Sequence, residues 1–469
     1  MTTPAGAVHL KRITAAAVVV GLWFAPLPEG LSLPAWRLFA LFAGTIVAVI
    51  IDALPILTAS VLALAAAVLA GLMPPAQAYE GFSNGTILLI VIAFLVARAV
   101  VKCGLGARLG NLAVTVFGRS TLGLGYSVFL VDGVIAPAFP SNTARSGVLY
   151  PLTLSITEAV GAAPGSGHRP RVAAFLMFSG MASLTLSSAL WFTAMAANPL
   201  GAEIARNHGL EIGFASWMIA SSVPTLVAMA ILPWFLFKLI RPEVSSTPEA
   251  PHAARTALAA MGPMSAQERI VAITFAGMVV LWGLAATLTL DSTAIAFLGL
   301  GVLLATGVLT PRDVAQEGDV LVTYIWFAVL FTLSGQLNAL GFMSFIGERL
   351  ALQLGGLAPG AAGVTLVVVY VGLHYLFVSQ TAHLLALFAV FLDVGVTLGV
   401  PVAPLAFLLL FATSFFSANA PQGSSANLLF ADSGCLTQGE LYRLGAITTA
   451  FNLTVYLVVG TPWLMFLYR

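Results

Sequence analysis

Apolar residues run through this chain in long blocks, with polar punctuation sparse between them. Blocks at 13–25, 36–51, 55–73, 86–101, 172–200, 214–238, 270–288, 293–309, 320–340, 401–431 and 441–467 read as membrane-spanning helices. About 20 residues at 1.5 Å each cover a ~30 Å hydrocarbon core. Two more apolar stretches, 122–157 and 360–396, carry polar residues and helix breakers at their centres. The segment 241–268 is polar and proline-bearing and reads as a cytoplasmic linker. It divides the chain into an N-terminal span and loop (1–35), a first half (36–240) and a second half (269–469).

Composition supports this pattern. Only 8% of the 469 residues are charged, 59% are hydrophobic and mean hydropathy is +1.01, where a soluble domain carries about 25% charge. The reading is an all-α polytopic membrane protein. A net charge of +1 gives no basic field for nucleic acid. Two cysteines, Cys103 and Cys435, make no disulfide framework or metal spacing, and strand alternation of the barrel type is missing. The first block follows His9, Lys11 and Arg12 without a small-residue cleavage site, so it reads as a retained span. Lys11, Arg12, Lys102, Arg108, Arg119, Arg169, Arg171, Lys238, Arg241, Arg255, Arg269, Arg312 and Arg443 fall on one side, against Arg37, Arg206, Arg349 and Arg469. That bias puts the N-terminus in the cytoplasm and the C-terminus outside.

The two halves repeat. Phe42-Ala43-Gly44 returns as Phe275-Ala276-Gly277, Pro75 as Pro311, and Phe94 and Gly104 as Phe331 and Gly341. Ser141-Asn142-Thr143-Ala144 returns as Ser379-Gln380-Thr381-Ala382, and Ser187-Ser188-Ala189 as Ser424-Ser425-Ala426. Single matches are cheap in this composition; their order and near-constant offset, 233 to 238, define a repeat. An odd number of crossings separates matching spans, so the halves are inverted. Inverted repeats place a substrate site near mid-membrane, between broken helices.

Stretch 122–157 holds Pro137, Pro140, Ser141, Asn142, Thr143 and Arg145 at its centre. One straight helix would leave that cluster in lipid, while each arm alone, at about 15 residues, is too short to cross. A re-entrant hairpin satisfies both facts, with its tip at 140–143; stretch 360–396 repeats it, with its tip at 379–381. Ser, Asn and Thr cap helices, so each tip opens a helix whose free N–H groups favour a carboxylate. Their oxygens also suit a hard cation, and Ser141 and Asn142 are the candidate sodium ligands. The matching broken spans are 172–200, expected to unwind at 183–188, and 401–431, expected to unwind at 417–427 around Pro421 and Gly423. Candidate substrate-binding residues are Ser141, Asn142, Thr143, Arg145, Ser379, Gln380, Thr381, His383, Ser187, Ser188, Asn419, Gly423, Ser424, Ser425 and Asn427.

Arg145 and His383 each follow their tip threonine by two residues. They read as cations flanking an anion, against the alternative of structural tethers to helix-end carbonyls. Asp52, Asp132 and Asp393 read as structural, and Arg98 as snorkelling or paired. A Ser-His hydrolase lacks any nucleophile motif; a cation/proton antiporter of similar architecture is a further alternative.

At these residues the sequence resembles the divalent anion/sodium symporter family of dicarboxylate and citrate carriers, over nearly the whole chain. The most specific pieces are Pro140-Ser141-Asn142-Thr143-Ala144-Arg145, Thr193-Ala194-Met195-Ala196-Ala197-Asn198-Pro199-Leu200 and His374-Tyr375-Leu376-Phe377-Val378-Ser379-Gln380-Thr381-Ala382-His383. They look most like the branch of bacterial citrate/succinate and tartrate/succinate antiporters and plastid 2-oxoglutarate/malate translocators. The resemblance implies eleven spans, two re-entrant hairpins, scaffold and transport domains, a homodimer in the inner membrane, and elevator-type alternating access. It also implies substrate carboxylates at the tips, next to sodium sites. Gln380 stands where sodium-coupled members carry asparagine. With built-in charge expected from Arg145 and His383, the sequence favours anion exchange over sodium symport. The substrate stays open among succinate, malate, 2-oxoglutarate, tartrate, citrate and sulfate.

Overall fold

A computed structural model describes residues 5–162 and 170–469; Arg169, counted above on the inner face, lies outside the described residues. The first half runs α1 (Ala5–Phe24), α2 (Leu33–Ile50), α3 (Ile56–Leu69), α4 (Gly85–Cys103), α5 (Leu105–Phe117), α6 (Thr121–Ile135), α7 (Asn142–Ala159), α8 (Arg171–Leu190), α9 (Ala197–Ala205) and α10 (Phe214–Ile240). After α11 (Glu249–Met261), the second half runs α12 (Ala266–Leu288), α13 (Ser292–Ala305), α14 (Gly318–Ala339), α15 (Phe342–Leu354), α16 (Pro359–Leu373), α17 (Gln380–Thr397), α18 (Val402–Phe415), α19 (Ser425–Ala431) and α20 (Gln438–Val455). A π-helical turn carries α20 on into a final helix, α21 (Thr461–Leu467).

The order of α2 to α10 recurs in α12 to α21. The hairpin arms α7 and α17 are both 18 residues long. Gly104 and Gly341 both turn the chain at positive φ, 78° and 77°, into the next helix, a conformation that needs no Cβ.

Among the described residues, eleven helical segments are long and apolar enough to cross a membrane. They are not the eleven expected from sequence. Segments 121–138, 359–376 and 380–397, all hairpin arms, qualify. Blocks 55–73 and 293–309 instead give α3 and α13, 14 residues each, or about 21 Å of helix, and block 13–25, which falls in α1, is not among the eleven. The chain leaves both by a left-handed glycine, Gly71 or Gly307. The linker is also more ordered than its polarity suggested. Its alanine-rich middle forms α11, which buries Ala250, Pro251 and Ala254 and packs on α5. Arg108 ties its far end down, through Glu268 (2.6 Å) and the carbonyl of Gly262 (3.0 Å).

Burial in lipid supplies little drive for helices to associate, so close packing and polar satisfaction must do it. Every residue of α8 from Val172 to Leu190 is buried, as is every residue of α18 from Ala403 to Phe415. Helices enclosed by protein all round can carry polar side chains at membrane depth. Thus α8 holds Ser183, Thr185, Ser187 and Ser188, while α18 holds Thr413 and Ser414. These two helices are the posts on which both hairpins rest.

Candidate functional site

Each hairpin tip is built by a serine N-cap. Ser141 Oγ accepts from the Ala144 amide at 3.2 Å and Ser379 Oγ from the Ala382 amide at 3.3 Å. The two caps have nearly the same backbone conformation, φ −140° and −142°. The tips meet. Asn142 Nδ2 donates to Gln380 Oε1 at 3.0 Å, and Gln380 Nε2 donates onward to the carbonyls of Thr413 (2.8 Å) and Ser414 (3.2 Å) at the end of α18. Thr143 Oγ1 lies 2.6 Å from Ser425 Oγ, linking the first tip to the second broken span.

Arg145 corrects the expected picture. It is fully buried and does not face the space between the tips. Its Nε lies 2.8 Å from Asp132 Oδ1, also fully buried. Its Nη1 donates to the Ala194 carbonyl (3.0 Å). Its Nη2 reaches Asn142 Oδ1 (2.9 Å), Ser188 Oγ (2.7 Å) and the Leu184 carbonyl (3.2 Å). The guanidinium is therefore a tether with a counter-charge, not a free cation beside an anion. The argument for a positively charged empty site falls with it, because Asp132 cancels Arg145.

His383 also sits away from the cavity, fully buried, with neither ring nitrogen hydrogen-bonded among the described residues. Aromatic rings box it in: Tyr370 at 4.3 Å between centroids, Phe416 at 4.7 Å, Phe377 at 4.8 Å and His374 at 5.2 Å. His374, which sequence reasoning did not single out, has Nε2 2.8 Å from the Gly423 carbonyl.

The first broken span unwinds later than expected. Ser183 Oγ donates to the Gly180 carbonyl, while the Ser187 and Ser188 hydroxyls, each shared between a carbonyl of α8 and a partner on the first hairpin, sit on an unbroken helix that continues to Leu190. The break falls at 191–196, just before Pro199, whose ring forbids the carbonyl four residues back from joining a helix. The second break, 416–424, lies where Pro421 and Gly423 placed it. Asn198 Nδ2 closes the first loop on the carbonyls of Ser188 and Trp191, and Asn427 Nδ2 closes the second on those of Ser417 and Ala420. In both cases the partners lie ten and seven residues back. The broken spans thus correspond at Asn198 and Asn427, an offset of 229, and the Ser187-Ser188-Ala189 match to Ser424-Ser425-Ala426 was a coincidence of small residues. Gly445 lets α20 press on the second loop, since a Cβ there would lie 2.1 Å from the Ala418 carbonyl oxygen.

A cavity of about 430 Å³ opens at the tips. Of the predicted residues it gathers Ser141, Asn142, Thr143, Ser379, Gln380, Thr381, Ser424 and Ser425. It does not gather Arg145, Ser187, Ser188, His383, Asn419, Gly423 or Asn427, which are buried behind the tips and hold their shape. Thr323, Trp326 and Phe327 of α14 close the cavity, with Glu317 and Asp319 at the start of that helix. No local motif in α14 marks this wall. A second cavity, about 540 Å³, meets the opposite end of α14 at Phe331, Thr332 and Gln336, together with Asn84 and Glu203.

The sodium assignment to Asn142 does not fit this geometry. Its Oδ1 already accepts from Arg145 Nη2 and from Ser188 Oγ at 2.6 Å. A guanidinium occupies the oxygen cluster where a cation would sit.

Comparison with known proteins follows the same lines. The sequence profile of the family described as "Sodium:sulfate symporter transmembrane region" matches residues 7–469. The chain is 39% identical to the protein YflS of Bacillus subtilis, covering 95% of this chain and 94% of that one. It is 36% identical to "Dicarboxylate transporter 1, chloroplastic" of Arabidopsis thaliana, covering 95% and 81%, and 29% identical to the "Citrate/succinate antiporter" of Escherichia coli strain K12, covering 97% and 98%. The solved YdaH transporter of Alcanivorax borkumensis shares the fold at a TM-score of 0.57 and 16% identity, over 82% of this chain and 87% of that one.

Proposed function

We propose, from the premise that this chain belongs to the sodium:sulfate symporter family, that it exchanges dicarboxylates across a membrane without sodium. The family and its named relatives make the protein a multi-pass transporter, not an enzyme. Relatives named for dicarboxylates and for citrate/succinate support di- and tricarboxylates as the substrate class.

In this reading the carboxylates bind between the tips, on the N-terminal N–H groups of α7 and α17 and the hydroxyls of Ser141, Thr143, Thr381 and Ser425. A helix N-terminus carries roughly half a positive charge, so two of them facing one cavity compensate an anion. Together they offset about one of the two charges of a dicarboxylate, and the hydroxyl donors solvate the remainder; empty, the site leaves those N–H groups without a partner in low dielectric. The loaded form therefore crosses more readily, which is exchange.

The two cavities at opposite ends of α14 support alternating access in which the hairpins and broken spans move together past α14. The remaining expectations stay part of the proposal: inverted halves around the 241–268 segment, a homodimer, an inner-membrane location, and a cytoplasmic N-terminus with the C-terminus outside.

The observation that carries sodium independence is the oxygen cluster around Arg145, filled by a cation the protein cannot release. The test is counterflow of labelled succinate in proteoliposomes with choline replacing sodium. Uptake should require internal dicarboxylate and ignore the replacement. Uptake that collapses in choline yet proceeds into empty liposomes would establish symport instead.

A further inference from the structure

Asp132 lies ten residues before Asn142 and touches none of the cavity. The geometry points to it as the positioning residue for both tips; this inference rests on the tips being the dicarboxylate site. A side-chain amide has one acceptor end and one donor end, and an arginine offers donors only. Arg145 Nη2, at 2.9 Å, therefore dictates that Asn142 turns its oxygen inward. Ser188 Oγ, at 2.6 Å, reinforces that choice.

The amide nitrogen then faces Gln380 Oε1 at 3.0 Å, with Met195 Sδ at 3.8 Å as its second acceptor. Gln380, with its oxygen taken, must point Nε2 at the carbonyls of Thr413 and Ser414. Orientation passes from one group to the next, across both halves, and its origin is whatever holds the guanidinium. The Ala194 and Leu184 carbonyls share in that hold, and its charged member is Asp132: Oδ1 lies 2.8 Å from Arg145 Nε, and Oδ2 accepts from Ser187 Oγ at 2.6 Å. Ser187 and Ser188, adjacent on α8, thus serve the carboxylate and the amide respectively.

A buried ion pair can be kept for structure alone, and the experiment separates the two roles. Replacing both charges with apolar residues of similar size commonly leaves a fold intact. In the Asp132→Leu/Arg145→Met double variant, detergent-purified protein should melt within a few degrees of wild type, while succinate affinity, read as a ligand-dependent Tm shift and by titration calorimetry, falls at least tenfold. Wild-type affinity in that variant would overturn the positioning role. Should the double variant not fold, Ser188→Ala keeps the ion pair and removes one of the two donors to Asn142 Oδ1. It should weaken succinate about threefold while lowering the melting point of the unliganded protein by no more than a few degrees, and unchanged affinity there would overturn the inference equally. Thr143→Val serves as the control for the site itself. If it weakens succinate while both Asp132/Arg145 and Ser188 variants do not, the positioning inference alone fails; if it leaves affinity unchanged, the site assignment fails and takes the inference with it.

Discussion

The two hairpins hold different chemistry at matching positions. Adding the tip offset of 238 to Asp132 and Arg145 gives Tyr370 and His383. In the first half these positions form a buried ion pair at 2.8 Å. In the second they form a ring contact, 4.3 Å between centroids and 82° between planes, with the Tyr370 hydroxyl 2.9 Å from Thr413 Oγ1. Both pairs brace a tip against its central helix. One braces by charge and directed hydrogen bonds, which fix which way an amide points. The other braces by shape, which fixes position but not polarity. The first half therefore carries the orienting information, and Gln380 receives it.

If that comparison holds, the largest effect belongs to Arg145→Ala. It leaves the Asp132 carboxylate buried without a partner, which costs about 3–5 kcal/mol, and frees Asn142 to turn. Exchange in proteoliposomes should vanish and the melting temperature should drop. An Arg145→Ala carrier that still exchanges at a tenth of the wild-type rate would break the comparison.

The broken spans supply a symmetric control. Asn198 and Asn427 make the same pair of bonds in their respective loops, so alanine at either should cost a similar ~2–3 kcal/mol through unsatisfied buried carbonyls. Matched losses of melting temperature in the two variants would show that the halves are equal at their broken spans. Gln380→Asn comes next. One methylene shorter, asparagine cannot reach both Asn142 and the end of α18, and losing one side costs about 1 kcal/mol. A several-fold rise in KM for succinate, with sodium still without effect, is expected in counterflow. His383→Phe should do less. A ring without hydrogen-bond partners among the described residues, held by three other aromatic residues and His374, is replaced by a ring of similar shape. Exchange should stay within about twofold of wild type with an unchanged pH profile, and a lost or shifted profile would give His383 a titrating role that its surroundings do not suggest.

Much of this was legible in the sequence because the signals were local. Proline and polar residues at the centre of an apolar stretch mark where it breaks ahead of α7 and of α17, and Pro421 with Gly423 marks the break after α18. What sequence missed depended on partners far along the chain. Asp132 reads as structural in the sequence, but its partner Arg145 is found only on folding, and the Ser187-Ser188 pair looks like an unwinding signal until its hydroxyls are seen on an unbroken helix. The α14 wall with Thr323 and Trp326 has no marker at all, since its role follows from docking between elements. The helix α11 was hidden for the opposite reason: its polar face made a docked alanine-rich helix look like slack chain.

The smallest effect is expected where the halves differ far from the tips. Asp313 accepts from Lys102 Nζ at 2.7 Å and from the Thr310 amide and hydroxyl at 2.8 and 2.7 Å. At the matching positions, 237 residues away, stand Ala76 and Ala339, which can form no such pair. Lys102 first, then Thr310, holds the Asp313 carboxyl below the usual carboxylate range. A group whose folded pKa is depressed adds stability above its unfolded value, near 3.9 for aspartate, and loses it as pH falls through the lower folded value. The contribution is therefore constant from pH 5 to 8 and disappears only in acid; partial exposure and salt keep it small. Melting curves of wild type and Asp313→Asn should run parallel above pH 5 and converge below about pH 4, while succinate exchange at pH 7 stays the same. A difference that grew between pH 5 and 8, or a loss of exchange, would mean that asymmetry at the periphery also matters to transport, and that the hairpins are not the only place where the two halves have diverged in function.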